Sequence, residues 1–326
     1  MFRFTSTATD GEFNAKPSHD KARLRHDAAY IGALSIVTTL VFKSAPSLIT
    51  LIMLKFGLIS QTMNNTQYLL FYSFLYAFSL LTPALMVTFI FKKRLLPLAP
   101  IKRTSFGFAL WGIFGAVGMC ILANIINSFF VAFFKEIGAN VPDMPQFMVD
   151  TPISFLLNLF TFAVLPALIE ELIWRGYILR TLRPYGDFFA VLISSLLFSL
   201  MHENLRQLPF TFIVGLFLGY LYVQTGNIWI PIVVHFINNS LSMVSQYVSF
   251  HLTDKGMLLF SVLLTYGLLI LGWIALLFLM LKYRKNLRFS PCNCALGFGR
   301  RVSIILTSPL FLTSVVLYFI YVFLRV

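Results

Sequence analysis

From Gly256 to Leu281 the chain runs for 26 residues without a charged side chain, and similar apolar runs recur along its length. Hydrocarbon offers no partner to a bare backbone amide or carbonyl. A stretch of roughly 17–25 apolar residues therefore crosses a bilayer as a helix, which satisfies its own backbone. Runs of this kind occupy about 67–91, 105–134, 152–170, 207–224, 228–248, 256–282 and 303–325. The segment 188–202 is shorter, and Ser194, Ser195 and Ser199 suit a helix shielded by other helices. Residues 28–60 are interrupted by Lys43, Pro46 and Lys55, and fit either one long broken span or two short ones.

Composition agrees with this constraint. At 58% hydrophobic and 11% charged residues, with a mean hydropathy of +0.83, the chain has more apolar surface than a soluble core hides. Basic residues decide between the two readings of 28–60, because Lys and Arg collect in cytoplasmic loops. A single crossing places 19 of the 25 basic residues on one side: five in the N-terminal tail, then Lys92 to Arg103, then Arg175, Arg180 and Arg183, then Lys282 to Arg301. Two crossings would spoil that asymmetry for half of the chain. The prediction is an all-α, multi-pass transmembrane helical bundle of eight or nine spans, nine fitting best. Its N-terminus is expected in the cytoplasm and its place in the plasma membrane. The net charge of +13 then reads mainly as a topology signal, with attraction to anionic lipid headgroups, and not as a nucleic-acid footprint. Polar residues 1–27 lack the apolar core and cleavage site of a signal peptide and read as a cytoplasmic tail. The remaining divisions are N-terminal membrane helices at 28–149, a central core at 150–250 and C-terminal helices at 251–326.

Ionisable side chains inside spans are costly, about 2.5–3.5 kcal/mol each on insertion scales, and mark function by default. Few occur here: Glu170 and Glu171 in "LPALIEELIWRGY", His202 at the end of the short segment, and His235 with Asn238 and Asn239 in "VVHFINNSL". Residues four apart share a helix face, and neighbours point about 100° apart. Glu171 is thus predicted to pair with Arg175. Glu170 points toward the bundle without a cation on its own helix, and is available as a general base. Pro166, four residues earlier, frees a backbone carbonyl and can bend the helix to admit water. The same spacing joins Phe198 to His202 and His235 to Asn239. Glu170, His202, His235 and Asn239 are therefore expected to converge between three helices. One conflict stands against this. A span at 152–170 puts Glu170 at its inner end, whereas His202 falls near the outer end of 188–202. Straight helices would part the two by most of a bilayer, so the 188–202 helix must be re-entrant or displaced, or the boundaries lie elsewhere. Taken singly, the same residues also read as a membrane-edge charge cluster, an interfacial histidine and an interhelical hydrogen-bond pair.

Taken together and in order, they resemble the CAAX-protease and bacteriocin-processing family of intramembrane proteases. "EELIWR" (Glu170–Arg175), "FSLMH" (Phe198–His202) and "HFINN" (His235–Asn239) match its three motifs, over about residues 150–250. The resemblance implies an endopeptidase acting on a peptide or protein substrate at the membrane. Glu170 and His202 would position and deprotonate a water, and His235 and Asn239 would stabilise the oxyanion. Glu171, Arg175 and Phe198 would support the site. Replacing Glu171 or Arg175 is accordingly expected to cost stability more than chemistry. A zinc-dependent form would use Glu170, His202 and His235 as ligands and leave one position for water. The HExxH helix of common zinc peptidases is absent, since the two histidines lie 33 residues apart, and the metal-free form is preferred. Two rivals remain: a non-catalytic immunity or scaffold protein of the same fold, and a transporter relaying protons, for which a repeated half is expected and none is visible.

Overall fold

A computed structural model of the chain describes residues 17–60, 63–93, 104–141, 143, 149, 151–290, 292 and 294–323. Of the basic residues counted above, Arg3, Lys16, Arg94, Lys102, Arg103 and Arg325 lie outside the described residues. The described residues form ten helices and no strand: α1 Pro17–Lys55, α2 Asn65–Ile90, α3 Phe106–Glu136, α4 Pro152–Tyr185, α5 Asp187–Met201, α6 Leu208–Thr225, α7 Trp229–Ser249, α8 Asp254–Lys282, α9 Phe298–Leu306 and α10 Pro309–Phe323. The protein is an integral membrane protein, and most of its exposed large side chains are apolar, as lipid requires.

Local chemistry sets the helix starts. Asn64 and Gln67 form a reciprocal capping box at α2, Ser105 caps α3, Thr151 and Ser154 form a second box at α4 and Thr253 caps α8. Six helices are long and apolar enough to cross a membrane, and α9 with α10, bent by 75°, make a seventh. The expected total of eight or nine is reached only with two helices that composition underrates. One is α5, with 15 residues, and the other is α7, whose apolar face is diluted by His235, Asn238 and Asn239.

Two boundaries differ from the sequence reading. Residues 17–27 belong to α1, where Leu24 and Asp27 are buried, so the tail reading stops at residue 16 and the single-helix reading of 28–60 extends backward. The span placed at 152–170 runs on to Tyr185. Arg175 is fully buried and carries no end-of-helix signal, because Glu171 has neutralised it inside the bundle.

The main core gathers α1, α2, α4, α5, α9 and α10 around Ile173, Ile178, Leu197 and Phe198, and a second lies between α3, α6 and α7. Close crossings depend on missing side chains. A Cβ on Gly118 of α3 would stand 2.5 Å from Gly272 Cα of α8. At the end of the bundle that holds Gly186, α1 is tied down by Asp27, which accepts from Lys93 and, at 2.7 Å, from the Tyr185 hydroxyl.

Candidate active site

The turn at Gly186, φ +110°, joins α4 to the antiparallel α5. Glu170 lies 16 residues before this glycine and His202 lies 16 residues after it. At about 1.5 Å per residue, each is about 24 Å from the turn, so the two side chains share one depth on neighbouring helices. The expected conflict between them came from ending the first span at 170. It vanishes once α4 continues to Tyr185, and α5 needs no re-entrant path.

Helix α4 is not a regular α-helix at this level. Its turns widen to π-helical geometry at Phe160–Val164 and again at Leu172–Leu179, which leaves only Leu165–Glu171 with α-helical spacing between them. Such widened turns are rare and cluster at functional sites. Pro166 has no N–H to give to the Phe162 carbonyl. Asn239 Nδ2 of α7 donates to that carbonyl instead, at 3.1 Å. The Asn239 Oδ1 accepts in turn from Asn238 Nδ2 at 3.2 Å.

Both glutamates face the same imidazole. Glu171 is fully buried, and its Oε1 accepts from Arg175 Nη1 at 2.8 Å and lies 2.9 Å from His235 Nδ1. Because an ionised carboxylate only accepts, His235 carries its proton on Nδ1 and turns Nε2 toward Glu170. Glu170 Oε2 stands 4.0 Å from that Nε2 and has no hydrogen-bond partner, although it is buried. Its other oxygen, Oε1, accepts from the Tyr76 hydroxyl at 2.5 Å. Arg175 also donates to the Gly215 carbonyl of α6 at 3.2 Å, which fastens α4 to α6.

Phe198 is the spacer of the site. Its ring lies edge-on to both histidines, with centroids 5.0 Å from His202 and 6.1 Å from His235, and the Arg175 guanidinium covers it at 4.7 Å. His202, half-buried at the end of α5, has its Nδ1 2.8 Å from the Phe198 carbonyl, which leaves Nε2 for other partners.

The geometry thus gathers Glu170, Glu171, Arg175, Phe198, His202 and His235, and ties Asn239 to the helix defect beside them. Sequence reasoning missed Tyr76. The signal was available in "QYLLFYSFLYAF", where Tyr68, Tyr72 and Tyr76 recur every four residues along one face of α2. Their rings follow one another at 6.2 and 6.3 Å and end at Glu170.

The donor set does not fit a metal ion. Among the described residues no three His, Cys, Asp or Glu side chains converge closely enough to hold one. Zinc-bound nitrogens and oxygens crowd within about 2.0–2.2 Å of the ion. The Glu170, His202 and His235 set expected for a zinc form is therefore not assembled as a metal site among the described residues.

Residues 152–241 match the family described as Type II CAAX prenyl endopeptidase Rce1-like. Three curated proteins are similar. YdiL of Bacillus subtilis, named as a candidate membrane peptidase, is 27% identical over 142 residues, covering 40% of this chain and 58% of its own length. The membrane-embedded CAAX protease MroQ of Staphylococcus aureus is 25% identical over 162 residues, 48% of this chain and 60% of its own. An uncharacterized 24.3 kDa protein of Escherichia coli is 30% identical over 110 residues, 32% of this chain and 51% of its own. The chain thus spans a little over half the length of the relatives it matches. No solved structure matches it.

Proposed function

We propose that this chain, whose residues 152–241 form an Rce1-like domain, is an intramembrane endopeptidase that hydrolyses a peptide bond of a membrane-associated protein or peptide. Glu170 is the general base, helped by His202. His235 and Asn239 stabilise the oxyanion. Glu171, Arg175 and Phe198 support them, and Tyr76 positions Glu170. The catalytic core extends over about 150–250, between the membrane helices of 28–149 and 251–326. The end of the bundle with Asp27, Lys93 and Gly186 faces the cytoplasm, by the distribution of basic residues, and the membrane is the plasma membrane.

The observation that carries this reading is the pairing of an unpartnered, buried Glu170 Oε2 with a His235 Nε2 at 4.0 Å. A water at about 2.8 Å from each atom spans such a gap. Tyr76 occupies Oε1, so Oε2 is left to receive the water's proton. The water oxygen then bonds to the substrate carbonyl carbon, and the carbonyl electrons move onto oxygen. Donors fixed in a water-poor site stabilise that charge strongly. When the C–N bond breaks, the departing amine takes a proton, and Glu170 returns to its carboxylate.

The test uses the full chain in lipid nanodiscs with a fluorogenic membrane-inserting peptide library. Wild type is expected to cleave, and Glu170→Gln and His202→Ala to lose cleavage while inserting and melting like wild type. Equal turnover by Glu170→Gln would remove Glu170 from the chemistry, and a wild type that cleaves nothing would place the chain among non-catalytic proteins of this fold.

A further inference from the structure

We propose that Lys43, Glu203 and Tyr321 form a brace that positions His202, an inference that rests on the reading of His202 as part of the hydrolytic site. Lys43 sits within the apolar stretch of α1, where a cation is costly unless it is used. Its ammonium pairs with the Glu203 carboxylate and lies 4.9 Å over the Tyr321 ring of α10. Glu203 is the residue directly after His202, and it is buried, 5% exposed.

Three features of Glu203 need an outside partner. Its φ is +47°, a left-handed conformation that a glutamate seldom adopts. Its carboxylate follows the C-terminal end of α5, where the helix dipole repels an anion. It is also out of reach of bulk water. Lys43 answers the charge, and the ring of Tyr321 holds the ammonium in place. The last turn of α5 is closed by short-range bonds, His202 N to Ser199 O at 3.2 Å and Glu203 N to Leu200 O at 3.0 Å. Without its cation, Glu203 is free to leave the left-handed region, and the peptide it shares with His202 turns with it. The imidazole then leaves the position set by Phe198, whose carbonyl lies 2.8 Å from Nδ1 and whose ring centroid lies 5.0 Å from its own. Lys43 and Tyr321 lie outside residues 152–241, so helices beyond the matched family domain would set the alignment of its histidine.

Full-length protein in nanodiscs carries the test, as Lys43→Met, Glu203→Gln, the charge swap Lys43→Glu with Glu203→Lys, and the conservative Lys43→Arg. Two readouts are taken: kcat and KM on the cleaved peptide, and ¹³C NMR of the histidine rings, with His202 assigned by substitution. Lys43→Met and Glu203→Gln are expected to lower kcat about tenfold to a hundredfold with KM unchanged, the range typical of a misplaced catalytic group. The His202 signal should move and the His235 signal should not. Lys43→Arg should regain most of the turnover and the native His202 signal. An unmoved His202 signal in both single variants overturns the brace, whatever the melting temperature does. If wild type cleaves nothing, the spectra still decide. A moved His202 signal then keeps the brace while the peptidase reading falls.

Discussion

Glu171→Gln separates charge from geometry at the centre of the site. Both contacts of Glu171, to Arg175 Nη1 at 2.8 Å and to His235 Nδ1 at 2.9 Å, fall on the same oxygen, Oε1. An amide can keep its carbonyl oxygen there, so the variant retains both bonds and loses only the negative charge. Two effects follow. Arg175, 1% exposed, becomes an uncompensated buried cation, and breaking a buried pair by removing one partner costs about 3–5 kcal/mol. His235 gives its Nδ1 proton to residue 171, and the charge of Glu171 tightens the bond that aims Nε2 at the reacting atoms. A looser imidazole weakens what His235 does for the oxyanion, and loss of one oxyanion donor costs about 10²–10³ in kcat. Arg175→Ala is the control, because it destabilises the fold while leaving Glu171 free to support His235. Thermal melting in nanodiscs and kcat well below the melting point should therefore diverge. Both variants should melt early, but only Glu171→Gln should lose turnover beyond tenfold. Equal kcat losses in the two, or full turnover in Glu171→Gln, would refute the orienting role given to Glu171 and return it to bracing alone.

Tyr76→Phe removes one hydroxyl and no volume. A hydrogen bond to a charged group contributes about 1.5–3 kcal/mol, so a kcat loss of about tenfold to a hundredfold at unchanged KM is expected in the same peptide assay. An unaffected kcat would make Tyr76 a bystander. Gly118→Val puts a side chain where even a Cβ would meet Gly272 Cα at 2.5 Å. Helices α3 and α8 must separate, and the melting temperature should fall sharply while the residual folded fraction keeps wild-type KM.

Much of the architecture was legible because lipid leaves so few options. Apolar runs gave the helices, and basic residues chose one crossing for the first long segment. The placement of Glu170 against His202 was not legible, for one physical reason. A buried arginine looks the same in sequence as an arginine at a membrane edge, and Arg175 was read as the second. Its partner four residues earlier is visible in the sequence, and that pairing is what allows the cation to continue into the bundle. The widened turns of α4 were also hidden. A helical wheel drawn at 3.6 residues per turn separates Glu170 from Glu171 by about 100°, and both in fact face His235. The pairing of Glu171 with Arg175 still emerged, since it rested on the four-residue spacing and not on the wheel. Tyr76 and Lys43 were invisible as partners because each acts across more than 90 residues of sequence, on Glu170 and Glu203 respectively.

The helix defects and the chemistry belong together. Hydrolysis inside a membrane needs water at a depth where a perfect helix bundle excludes it. A regular α4 would have spent every carbonyl on its own ladder. Pro166 and the two widened turns break that ladder on both sides of Glu170 and Glu171. The Phe162 carbonyl accepts from Asn239, and that bond holds α7 against α4 at the level where His235 meets both carboxylates. A single local irregularity thus supplies polar lining and the alignment of a second helix. Pro166→Ala adds an N–H to α4 at this level, and that donor should compete with Asn239 for the Phe162 carbonyl and loosen the contact. The expected result is a protein at least as stable as wild type with a lower kcat. A Pro166→Ala protein that melts higher and cleaves as fast as wild type would show that the irregularity serves only the fold.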